Sequence, residues 1–178
     1  LTMVRPGDAA ETATAWLEIL RRRGGPTGIA LTRQNVPVFE RGEGEASGDV
    51  LASAEGAARG AYILAEAANG SPDVILIATG SEVQLAIEAR ARLAGEGVQA
   101  RVVSAPSLEW FAEQDAAYRE HVLPAAVTAR VSVEAGIAMP GAASSATAAA
   151  RSRSSTSAHR PTTRPCSRSS ASRPRPSS

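Results

Sequence analysis

The apolar positions change period along the chain, and that change predicts the elements. In GDAAETATAWLEILRRR, Ala13, Trp16, Leu17 and Leu20 recur at i, i+3, i+4 and i+7, the stripe of an amphipathic helix. Asp8 followed by Glu11 predicts a capping box at its start. Arg21, Arg22 and Arg23 fall in the last turn, against the negative end of the helix dipole, before Gly24 and Gly25 stop it. The triplet is read as a solvated helix end rather than a nucleic-acid patch. TGIALTRQ predicts a short strand. The polar, glycine-rich run from Asn35 to about Glu55 has too few apolar residues to pack and is expected to connect two units. Beyond it, AYILAEA, DVILIATG, ARVVSAPS and ARVSVEAG are near-continuous Val/Ile/Leu runs, alternating with helices predicted from Glu82 and from Leu108. Such runs imply parallel strands buried on both faces, hence an α/β fold in three layers: a mostly parallel sheet flanked by helices.

One junction is especially legible. The strand VILIA ends in Thr79-Gly80, and Ser81 with Gln84 predicts a capping box opening a helix that contains Val83, Ile87 and Leu93. Ligands of open α/β sheets sit beside such strand ends. The GxGxxG fingerprint is absent, so a structural cap is the expected role and phosphate binding the alternative.

Charge divides the chain. Residues 1 to 140 carry 12 Arg against 18 Asp and Glu, whereas residues 141 to 178 carry seven Arg, no acid and twelve Ser. That asymmetry, with no apolar periodicity after Pro140, marks residues 141 to 178 as a Ser/Arg-rich segment expected to be disordered. All 19 basic residues are Arg, and the abundance of Ala, Gly, Pro and Arg implies a GC-rich coding sequence. The single Cys166 excludes an intramolecular disulfide or a multi-cysteine metal site within one chain. With no leader pattern and no apolar run near the roughly 18 residues of a membrane span, a cytoplasmic protein without membrane contacts is the default expectation. The chain begins at Leu1, directly before a helix signal, and is read as part of something longer.

RPGDAAETATAW, PTGIALTRQNVPV, ILIATGSEVQLAIEA, ARVVSAPS, QDAAYREHVLP and VTARVSVEAGIAMP, in that order and spacing, closely resemble the C-terminal part of transketolases, almost without interruption from Arg5 to Pro140. The resemblance implies a homodimeric enzyme that uses thiamine diphosphate and a divalent metal (Mg or Ca). Such an enzyme transfers a two-carbon ketol unit between sugar phosphates in the pentose phosphate pathway. It places the end of the pyrimidine-binding domain and a linker at residues 1 to 50, and the C-terminal domain at 55 to 140. Most of the cofactor machinery then lies upstream of Leu1, so no catalytic, cofactor-binding or metal-ligating residue is assigned here and the isolated chain is expected to be inactive. One functional position carries over. Arg33, in TRQN, matches the family arginine that grips the sugar-phosphate terminus, a task suited to the paired, charge-assisted hydrogen bonds of a guanidinium. An interdomain salt bridge is its alternative. Glu134 is a candidate for a dimer contact, a cap or a salt bridge. His121 is expected to be solvated, and Trp16, Trp110 and Phe111 are expected in core or interface packing. Another thiamine-diphosphate enzyme, or a noncatalytic α/β module with an Arg-rich nucleic-acid-binding arm, are the alternatives for the whole chain.

The resemblance stops in mid-motif after GIAMP. If one nucleotide was lost there, each original codon was the third base of one present codon plus the first two of the next. Serine written TCN then reports a codon ending in TC, which encodes Val, Leu, Ile or Phe. Read this way the segment yields a string containing LEHFGASADYKTLF, similar to the transketolase terminus. Residues 141 to 178 are therefore expected to be a frameshift product, with no specific nucleic-acid partner.

Overall fold

A computed structural model describes residues 1–135. The expectations for residues 141 to 178, including Cys166, lie outside the described residues. Every position of VILIA is apolar because the strand it forms is covered on both sides. Six strands and four α-helices follow one another as β1 (Thr2–Val4), α1 (Ala9–Arg21), β2 (Thr27–Ile29), β3 (Tyr62–Ala65), β4 (Val74–Ala78), α2 (Val83–Gly95), β5 (Ala100–Ser104), α3 (Leu108–Ala112), α4 (Ala116–Val122) and β6 (Arg130–Val133). The first two strands pair in parallel as a sheet of their own, and the others form a sheet in the order β3-β5-β4-β6.

Within the larger sheet β4 runs parallel to β5, with Leu76 opposite Val102, and parallel to β6, with Leu76 opposite Val131. Alternation sends Leu76, Ala78, Ala100 and Val102 to one face, where they pack with Leu64 against Val83 and Ala86 of α2. Ile75 and Val103 go to the other, against Phe111 of α3 and Val122 of α4. Each fully buried Val or Ile contributes about 1.5–3 kcal/mol. This is the expected three-layer arrangement.

Strand β3 departs from the expectation of parallel strands. It runs antiparallel to β5, with a register irregularity between Ile63 and Ala65. It enters at the sheet edge straight from a 3-10 turn (Ala54–Arg59), with no helical crossover to enforce a parallel direction. The preceding stretch also packs better than its composition suggests. Phe39, Ala46 and Leu51 lie against the core and Ala52 is buried, and bridges join Arg41 to Leu51 and Ser47 to Val50. The single helix expected from Leu108 is two, interrupted before Asp115. Ser107 caps α3 by accepting from the Trp110 amide, and Asp115 caps α4 by accepting from Tyr118.

The expected Ser81–Gln84 capping box does not form. A 3-10 turn (Gly80–Glu82) intervenes, α2 starts at Val83 without a side-chain cap, and the Ser81 hydroxyl donates to the Glu82 carboxylate at 2.8 Å. At α1 a capping-box-like start does form, with Asp8 accepting from the Glu11 amide and Glu11 reaching back to the Gly7 amide, but the expected stripe faces outward. Ala13 is exposed, as are Trp16, Leu17 and Leu20 at 48%, 58% and 72%. The inward face carries Ala15, Ile19 and Glu11. Periodicity locates a helix but cannot tell which of two apolar faces the neighbouring elements cover. Here the choice is made by Glu11, whose carboxylate is fully buried.

Candidate functional site

Arg33 sits in a loop that leaves the smaller sheet. β2 lies beside β1, and the Ala30 amide extends their pairing by donating to the Val4 carbonyl at 2.8 Å. Next, Thr32 accepts from the Gln34 amide at 3.1 Å, a side-chain turn that bends the chain at Arg33. Arg33 is exposed, and its guanidinium forms no ion pair among the described residues. The interdomain salt bridge considered for it is thus not made within residues 1–135. A free guanidinium on a bent loop can present two parallel N–H groups to an anion.

The loop closes on a buried polar network whose members are scattered along the chain. Asp8 Oδ1 accepts from the Glu11 amide at 2.8 Å, and Glu11 Oε2 accepts from the Gly7 amide at 2.7 Å. The second oxygen of Asp8 receives Arg41 at 3.0 Å and the Phe39 amide at 3.3 Å. Glu11 Oε1 accepts from the Tyr62 hydroxyl at 2.6 Å and from Ser104 Oγ at 2.7 Å, with Arg41 at 3.5 Å. Arg41 also donates to Tyr62 at 2.7 Å and to the Ala52 carbonyl at 3.2 Å. Burial first, then the adjacent Glu11 carboxylate, holds the Tyr62 phenol well above its ordinary value of 10.0. The cluster ties α1, the connection, β3 and β5 together. The capping motif identified Asp8 and Glu11; no local pattern marks Arg41, Tyr62 or Ser104 as their partners.

The strand ends opposite are closed. Gly80, at φ +63, donates its amide to the Arg5 carbonyl at 3.0 Å, and Thr79 Oγ1 donates to the same carbonyl at 3.3 Å. The Arg5 guanidinium bridges Glu134 at 2.7 Å and Glu82 at 3.5 Å. A backbone carbonyl and a carboxylate thus occupy the place where a phosphate would need donors, and the Gly-Ser turn is structural. Of the roles considered for Glu134, the salt bridge is present, made with Arg5. Among the described residues no group of three or more His, Cys, Asp or Glu could hold a metal ion. With the α2 start closed to anions as well, the described residues do not fit a pyrophosphate–metal pair.

The remaining candidates divide. Trp110 and Phe111 are core residues, at 1% and 9% exposure, while Trp16 stands half exposed. His121 is exposed, and its carbonyl accepts from Arg101 at 2.8 Å. Arg101, buried in β5, forms paired bonds to Glu66 at 2.9 and 2.8 Å and so anchors the end of α4 to the sheet. Arg22 is not simply solvated. It stacks 4.7 Å over the Trp110 ring and pairs with Glu18 and Glu113, docking α1 to α3. A cleft of about 390 Å³ lies between the connection and α4; Glu43, Glu45 and Glu55 line it with Arg59, whose guanidinium stacks over Tyr118, and Arg33 does not line it.

The described residues form an α/β fold in which a four-stranded sheet lies between helices, and a separate pair of parallel strands, β1 and β2, leads into the loop that displays Arg33. The family described as the transketolase-like TK C-terminal domain matches residues 60–154, and the chain belongs to that family. It is 54% identical over 144 residues to a Mycobacterium tuberculosis transketolase, covering 78% of this chain and 19% of that protein. It is 54% identical over 134 residues to transketolase 1 of Escherichia coli, covering 75% and 19%. A crystal structure of a Pichia stipitis transketolase in complex with sedoheptulose 7-phosphate superposes with a TM-score of 0.63 at 38% identity, over 75% of this chain and 18% of that one. The chain thus spans about a fifth of the length of the transketolases it matches. None of the described helices is long and apolar enough to cross a membrane.

Proposed function

We propose that this chain is the substrate-phosphate-gripping C-terminal part of a transketolase that transfers a two-carbon ketol unit from a ketose phosphate to an aldose phosphate in the pentose phosphate pathway. The observation that carries the reading is Arg33, exposed on the bent TRQN loop with no carboxylate pairing it among the described residues. Its guanidinium gives the sugar-phosphate terminus a paired, charge-assisted contact. In this reading residues 1 to 50 end the pyrimidine-binding domain and 55 to 140 form the C-terminal domain. The sites for thiamine diphosphate and its divalent metal (Mg or Ca) lie mostly upstream in the parent enzyme, and the parent is a cytoplasmic homodimer. The chain alone performs no ketol transfer. Coverage of only 19% of the matched transketolases supports that inference.

The test is a hybrid in which residues 1–135 replace the segment they match in the Mycobacterium tuberculosis transketolase. Arg33→Ala in the hybrid is expected to raise KM for phosphorylated sugars much more than for unphosphorylated ones. Equal effects on both would remove the assignment. The frameshift reading of residues 141 to 178 has its own test: resequencing around codon 140, where insertion of one base must restore the transketolase-like string.

A further inference from the structure

The loop carrying Arg33 is suspended between two anchors. The first is the Ala30 amide bond to the Val4 carbonyl, at the end of the β1–β2 pairing. The second is at Phe39 and Arg41: Phe39 packs against the core, and Asp8 Oδ2, one oxygen of a buried carboxylate, receives the Phe39 amide at 3.3 Å and Arg41 through Nη2 at 3.0 Å and Nε at 3.3 Å. Between them the described hydrogen bonds of residues 31 to 38 are the local pair of Thr32 with Gln34. With so few bonds of its own, the loop depends on its ends, and its arginine can bind an anion without a large ordering cost only if both ends are fixed.

We propose that Asp8 is a positioning residue for Arg33, capping α1 with one carboxylate oxygen and latching the far end of the Arg33 loop with the other. The proposal rests on the reading of Arg33 as the phosphate-gripping residue. Asp8 is 2% exposed, and Arg41 is fixed from the opposite side by Tyr62 and the Ala52 carbonyl, so the latch point is rigid with respect to the larger sheet. The two oxygens can be separated chemically. In Asp8→Asn the amide oxygen still accepts from the Glu11 N–H and keeps the cap, while the NH₂ group meets the Phe39 N–H and the Arg41 guanidinium, donor against donors. The substitution opens the latch and spares the helix start.

Two measurements test this. In the full chain, hydrogen–deuterium exchange of peptides covering residues 31 to 38 is compared between the parent and Asp8→Asn. Faster exchange there, with α1 still protected, is expected; unchanged exchange overturns the proposal. In the Mycobacterium hybrid described above, Asp8→Asn is expected to raise KM for a phosphorylated acceptor about tenfold, with a much smaller change for an unphosphorylated one, as a loosened phosphate grip requires. If Arg33→Ala raises that KM selectively and Asp8→Asn does not, the latch is refuted while the Arg33 assignment stands. If neither does so, the Arg33 assignment itself falls and takes the latch with it.

Discussion

Replacing Glu11 with Gln is the most searching test of how this chain holds together. The carboxylate is fully buried and accepts three hydrogen bonds, from Gly7, Tyr62 and Ser104 at 2.6–2.7 Å, with the Arg41 guanidinium 3.5 Å away. A glutamine is nearly the same size, so no cavity forms and the cost is electrostatic. Its carbonyl oxygen can serve Tyr62 and Ser104, whose hydroxyls rotate to suit, but the NH₂ group then faces the Gly7 N–H. The Gly7 N–H loses its acceptor and the new amide N–H groups gain none, so at least two buried donors are left unpaired, at about 1–3 kcal/mol each. The Arg41 charge loses one of its two carboxylates and keeps Asp8, so the loss stays below the roughly 3–5 kcal/mol of a fully orphaned buried charge. The sum is at least about 3 kcal/mol. With a urea m-value near 2 kcal/mol/M, the midpoint of unfolding of the full chain, followed by far-ultraviolet circular dichroism, should fall by at least about 1.5 M. A shift under about 0.5 M, with the slope unchanged, would show that Glu11 is not the keystone of the network and that α1 is held in place by other contacts.

Tyr62 gives the network a pH signature. The folded state keeps a phenolic proton that the unfolded chain releases near its ordinary value of 10.0, so this contribution is complete below about pH 10 and is lost as pH rises through the elevated folded value. Urea midpoints of Tyr62→Phe should therefore decline less steeply above pH 10 than those of the parent, whereas parallel declines would contradict the assignment; Tyr118, also raised by burial, accounts for the slope that remains. Gly60 adopts φ +87, and a Cβ there would lie 2.3 Å from both the Phe111 nitrogen and the Ser107 carbonyl oxygen. Gly60→Ala should cost about 4 kcal/mol and lower the thermal midpoint by more than about 10 °C, and a near-neutral alanine would refute the close approach of α3 to this turn. Of the two tryptophans, Trp110 is 1% and Trp16 48% exposed. Iodide should quench one emission and spare the other, and equal quenching of both would show that α1 does not dock as described.

What the sequence revealed and what it concealed follow from the range of the interactions involved. VILIA and ARVVS are legible because a strand buried on both faces must be apolar at nearly every position, a constraint met within five residues. The cap of α1 is legible because Asp8 and Glu11 are three residues apart. The antiparallel direction of β3 is not, since Tyr62–Ala65 would read the same in either orientation and its direction depends on the partner strand β5, about forty residues away in the chain. The facing of α1 is not either. Its exposed side is richer in large apolar groups than its buried one, and the buried side is chosen by a carboxylate whose partners, Arg41, Tyr62 and Ser104, are scattered across the chain. An acid in the first turn of a helix ordinarily faces solvent; here it faces the inside, because a guanidinium and two hydroxyls arrive from other elements to replace the water it loses. The same long-range closure bears on Arg33. Its motif is local and could be found in four letters, but the contact that ties down the far end of its loop is made by residues 8, 39 and 41, which only the fold brings together.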